Sequence, residues 1–145
     1  MDEDVRRAIV EAVTREPFAR TMGLKLLELD HGHSLVEMVY DPESMNNIYG
    51  RAHGGAMFAL IDEAFETASQ TDGTIAVALN VNVTYVSSPE PGVTLRARAK
   101  CVARTKRTAT FDIKVFNLDG NAVALCQALA FQTGKPIPFL KRSED

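Results

Sequence analysis

Several things this chain lacks narrow it before any motif is read. Its longest apolar stretch, AVALCQALAF, carries Gln127 in the middle and falls well short of the ~18 residues that a membrane-spanning helix needs. Cysteine is scarce: Cys101 and Cys126 lie in alternating apolar segments without metal-ligand spacing. The first residues, MDEDVRRAIVEAV, are acidic and unlike a signal peptide, so the expected compartment is a reducing cytoplasm, with no membrane partner. There is no basic excess. A net charge of -3 and a pI of about 5.6 remove any general case for nucleic-acid binding. Internal repeats and low-complexity tracts are absent, as are a G-x-S-x-G elbow, a P-loop and a Rossmann glycine pattern.

What is present is 145 residues, 46% hydrophobic and 24% charged, which is enough chain for one domain with a real core. Charge is unevenly spread: residues 1–66 hold thirteen acids and six bases, so the remaining 79 carry a net +4. Six bases and no acid fall in VTLRARAKCVARTKR, residues 93–107. Taken alone, they read either as solvated side chains on an outward strand face or as a patch for a phosphorylated small molecule.

Periodicity orders the elements. Val5, Ile9, Ala12 and Val13 predict a short amphipathic helix over 4–14, ending before Pro17. LKLLELDHGHSLVEMVYD reads as two strands around a turn at Asp30–His33. Residues 54–70 predict a central helix with Met57, Leu60, Ile61, Ala64, Phe65 and Ala68 in one buried stripe. Glu63, Glu66 and Gln70 fall on the opposite face, and Asp62 lies at the stripe's edge. The period then changes to two through LNVNVTYV, VTLRARAKCVAR, ATFDIKVFN and the strand after Asp119–Asn121, which predicts an antiparallel α+β sheet packed on the helix. The tail GKPIPFLKRSED reads as a poorly ordered end.

The stretch NIYGRAHGGAMFALIDEAF, residues 47–65, carries the chemistry. Gly-Gly at a helix entry is costly where Ser or Asp would cap, so something is expected to approach that backbone closely. Free amides there, aided by the helix dipole, can hydrogen-bond a developing oxyanion, and an ionised aspartate two turns along can attack or take a proton from water. His31 and His33, two apart beside Asp30, sit in a glycine turn and are assigned no metal.

The order of elements and the string from Met45 to Phe65 resemble the hotdog-fold acyl-CoA thioesterases, in their PaaI-like (phenylacetic acid degradation type) branch. The resemblance covers residues 17–134, within a single hotdog domain of helix 4–14, core 17–134 and C-terminal tail 135–145. It implies a curved antiparallel sheet wrapped around one long helix. It also implies hydrolysis of an aryl- or short- to medium-chain acyl-CoA by a carboxylate, with neither metal nor cofactor, in a homodimer or a tetramer made of two dimers.

The family's asparagine, seven residues before the first glycine of His-Gly-Gly, corresponds to Asn47. Its carbonyl-polarising amide lands on Gly54, with Gly55 permitting close approach and His53 shaping the loop. Its catalytic carboxylate, eight residues past that glycine, corresponds to Asp62, acting across the dimer interface as nucleophile or general base. The family's habit of holding CoA phosphates on an exposed surface makes Arg104, Lys106 and Arg107 the candidates, ahead of Arg51. Where relatives carry a hydroxyl or acid at the start of the next strand, this chain has Ala78 and Asn80, so Asn80 is the substitute on the substrate side. A non-catalytic acyl-CoA binding module is the alternative; a hotdog dehydratase is disfavoured because Asp62 has no paired histidine.

Overall fold

The computed structural model describes residues 1–141. Four helices, α1 (Glu3–Arg15), α2 (Pro17–Met22), α3 (Pro42–Met45) and α4 (Gly54–Ser69), accompany six strands. The strands are β1 (Lys25–Asp30), β2 (His33–Val39), β3 (Thr74–Tyr85), β4 (Thr94–Arg104), β5 (Thr108–Asn117) and β6 (Ala122–Pro136). All pairings are antiparallel, in the order β1-β2-β4-β5-β6-β3. This is the α+β hotdog architecture: the sheet wraps α4, which packs chiefly on β2, β4 and β5 at its centre.

The apolar stripe of α4 drives that packing. Leu60, Ile61, Ala64 and Ala68 are fully covered, and Phe65 meets Phe111 of β5 edge to face, 5.5 Å between ring centres. Each such Leu or Phe contributes on the order of 2 kcal/mol of burial. The buried Ser34 hydroxyl of β2 donates to the Ala64 carbonyl at 2.7 Å and fixes the middle of the helix to the sheet.

β3 starts earlier than its alternation indicates and forms one edge of the sheet, with Val77, Leu79 and Tyr85 44%, 58% and 53% exposed. No helix among the described residues is long and apolar enough to cross a membrane.

Two expectations are corrected. The chain from Gly134 to Lys141 is not a loose end: β6 runs to Pro136, and Ile137, 1% exposed, joins Val5, Ile9 and Leu29 in a second core cluster beneath α1. Positions 142–145 of that tail lie outside the described residues. Glu63 is not on an open face either. α1 and α2 lie over the side of α4 that its stripe leaves polar, and Glu63 is only 3% exposed there. A helical pattern identifies the face turned from one neighbour but is silent on a second layer.

Candidate functional site

The site is built at the entry to α4. His53 is the N-cap, and its Nδ1 accepts from the Gly55 N–H at 2.8 Å. Ala56 and Met57 donate to the His53 carbonyl, and the His53 N–H donates to Met45. The one amide of this turn left without a partner among the described residues is that of Gly54, the first residue of the helix. It points out of the positive end of a sixteen-residue helix, as an oxyanion donor must.

The two glycines are there for close approach, not for unusual backbone angles, since neither has positive φ. A Cβ on Gly54 would come 3.2 Å from the Tyr85 ring and hydroxyl, and one on Gly55 3.0 Å from His53 Nδ1. Tyr85, at the end of β3, also donates to the Gly54 carbonyl at 3.1 Å. Tyr85 was not singled out in the sequence; the only signal was its place at the close of an alternating strand.

Asn47 shapes the preceding loop. Its Oδ1 accepts from the amides of Tyr49 (2.9 Å) and Arg51 (3.1 Å), so its side-chain carbonyl is committed and its NH2 group is the part left to meet a ligand. The buried Tyr40 hydroxyl donates to Asn46 Oδ1 beside it. Arg51 is held by Ser88 and Glu90, on the same side as the α4 entry.

Asp62 opens onto a cavity of about 400 Å3 walled by Phe65, Ile75, Ala76 and Phe139, with Glu66, Ser69 and Gln70 as its other polar neighbours. Partial burial raises its pKa above the ordinary carboxylate value. Asp62 and Gly54 do not meet in one chain. Eight residues of helix separate them by about 12 Å along the axis, too far for one carbonyl to touch both.

The CoA candidates divide. Arg104 is bonded to Asp72, which also pairs with His31 Nδ1 at 3.2 Å, so its charge is answered within the chain. Lys106 and Arg107 sit exposed in the β4–β5 turn with no acid paired to them among the described residues. The other bases of the segment are spread along β4, where Arg96 pairs with Glu37 and Arg98 lies over the Phe116 ring. Asn80 is exposed on the β3 edge at a bulge between Ala78 and Asn80. The β4–β5 turn lies by the C-terminal end of α4, since the Gln132 N–H donates to the Arg107 carbonyl while the Gln132 side chain donates to the Ser69 carbonyl.

The model of the thioesterase superfamily matches residues 49–124, which include the α4 entry and Asp62. A putative esterase of Archaeoglobus fulgidus is 34% identical over 119 residues, 81% of this chain and 75% of the relative. The acyl-coenzyme A thioesterase PaaI of Escherichia coli is 29% identical over 119 residues, 82% of this chain and 84% of its own. The structure of that E. coli protein matches with a TM-score of 0.87 at 27% identity, covering 93% of this chain and 97% of that one. A Streptococcus mutans protein solved with acetyl-CoA bound matches at 0.73 and 32% identity, covering 79% and 91%.

Proposed function

The chain belongs to the thioesterase superfamily, and from that premise we propose that it is an acyl-CoA thioester hydrolase acting on aryl- or short- to medium-chain acyl groups. The observation that carries this reading is the Gly54 amide at the start of α4, unpartnered among the described residues, with Asp62 two turns along the same helix at the mouth of a cavity. The PaaI relative is an acyl-CoA thioesterase by name, and the S. mutans relative holds acetyl-CoA, which supports the same ligand class here.

The roles follow from the chemistry. The Gly54 N–H hydrogen-bonds the thioester oxygen and stabilises the oxyanion as the carbonyl carbon becomes tetrahedral. Asp62 either takes a proton from the attacking water or attacks the carbon itself, giving an anhydride that water then opens. The C–S bond breaks, and the leaving CoA thiolate takes up a proton, leaving free acid and CoA. The Asn47 NH2 group orients water or the carbonyl, and His53 holds the glycine turn. No metal or organic cofactor enters these steps.

The about 12 Å between Gly54 and Asp62 supports a site shared between two chains, in which Asp62 works with Gly54 of the partner subunit. The contact lies along β3, an edge whose exposed Val77 and Leu79 would otherwise invite unregulated pairing. Lys106 and Arg107, and more weakly Arg104, meet the CoA phosphates.

A panel of aryl-, short- and long-chain acyl-CoAs, read by free thiol release alongside sedimentation, tests this reading. Thiol release by dimers or tetramers supports it; saturable CoA-ester binding without turnover turns it to a binding module. Full activity from a monomer overturns the shared site.

A further inference from the structure

The N-terminal helices close over α4 at a point where three carboxylates converge. Glu16 stands at the junction of α1 and α2, and Glu63 and Glu66 are one turn apart on α4. One oxygen from each lies within 4.8 Å of the other two. A second observation separates this cluster from an ordinary acidic surface: Glu63 is 3% exposed, and its Oε1 has no hydrogen-bond partner among the described residues. A buried oxygen of that kind costs about 1–3 kcal/mol unless something answers it.

No base does so. No ion pair among the described residues joins the three acids to a base. The bases on the wall of the adjoining cavity are Arg7, paired with Asp4, Arg15, paired with Glu11 at 3.4 Å, and Lys141. Asp62 lies one turn from Glu66 and adds to the negative field.

We propose that Glu16, Glu63 and Glu66 form a binding site for a hard divalent cation such as calcium, magnesium or manganese, separate from the reacting carboxylate. The spacing fits calcium best, because oxygens each 2.3–2.6 Å from one calcium lie at most about 5 Å apart, against about 4 Å around magnesium. The donor type fits, since carboxylate oxygens without nitrogen or sulfur favour this class of ion. The cavity of about 570 Å3 that Glu16 and Glu66 line offers room for the waters that complete such a coordination shell.

Without the ion the cluster answers its own repulsion with protons. Burial first, then the charges of Glu16 and Glu66, push Glu63 up to about 8. Partial burial, then Glu16 and Asp62, push Glu66 up to about 7. A cation takes the place of those protons and ties the α1–α2 junction to the central helix.

The test uses the full chain stripped with chelator and titrated by calorimetry with calcium, magnesium and manganese chlorides, with melting curves in parallel. Saturable binding of one ion per chain and a raised Tm are expected. Glu63→Gln and Glu66→Gln should each weaken binding roughly tenfold or more. Glu66→Gln, on the open side, keeps the test decisive should Glu63→Gln fail to fold. Lack of saturable binding by the wild type up to about 5 mM of each ion, above the range of weak calcium sites, overturns the proposal. Equal affinity in wild type and Glu66→Gln overturns it too. Thioesterase activity is not a readout, so failure here leaves the hydrolase reading untouched.

Discussion

The first turn of α4 and its middle treat polar groups in opposite ways. At Gly54 a backbone donor is left unanswered at the surface, framed by a histidine cap and a tyrosine from β3. At Glu63 a carboxylate oxygen has no partner among the described residues, in the interior beneath two helices. An exposed free donor at a helix start can wait for an incoming oxygen at little cost, since water answers it meanwhile. A buried free acceptor is costly, and a proton or a cation can answer it. One helix thus carries a poised site at its mouth and a charge problem at its waist, and Asp62, open to its cavity, lies between them.

The largest effect should come from Asp62. Asp62→Asn keeps shape and hydrogen bonding, so dimers and acyl-CoA binding should persist while kcat falls at least ~100-fold, the scale of losing a positioned base. Wild-type turnover with intact assembly would reduce Asp62 to a surface charge.

Gly54→Pro probes the other end of the comparison. Proline is tolerated at the first helical position, and His53, at φ -68° and ψ 133°, has the backbone that a following proline requires. Thiol release should fall about 100-fold through loss of one oxyanion donor, with helicity by circular dichroism retained. Gly54→Ala keeps the N–H and presses only on Tyr85, so it should keep most of the activity that proline removes.

Glu63 sharpens the contrast through pH. Its folded pKa of about 8 stands above the ordinary 4.5, so the native state holds the extra proton. Stability from this group is therefore full below pH 4.5 and is lost as pH rises through about 8. In chelator, Tm should drop between pH 5 and 8.5 by roughly 4–8 °C, the shift that a couple of kcal/mol gives in a domain of this size. Glu63→Gln should flatten that slope; an unchanged slope would mean that Glu63 is not confined.

The smallest effect concerns the far end of α4. Lys106→Ala with Arg107→Ala should raise KM for acyl-CoA by roughly threefold to tenfold with kcat nearly unchanged, shrinking as salt rises. Arg104→Ala should add little, because Asp72 already holds it.

Much of this was open to reading. A stripe from Met57 to Ala68 is legible because burial against one sheet imposes a period near 3.6, and β3 to β6 are legible because a two-faced sheet imposes a period of two. α2 and α3 escaped because helices of six and four residues are too short to show a period. The six bases of residues 93–107 looked like one patch, yet pairing to Glu37 and Asp72 and stacking on Phe116 divide them among separate surroundings.

The sequence by itself determined the longer elements, their antiparallel class and the family, since these depend on local periods and on residue spacing within one loop and helix. Tertiary structure alone decided which polar groups are free. Gly54 keeps its amide because His53 caps the next one, the charge of Arg104 is balanced by Asp72, 32 positions away, and Glu63 is buried because α1 and α2 return over α4. A side chain's chemistry is written at its own position, but its partners and its access to water are set by segments distant along the chain.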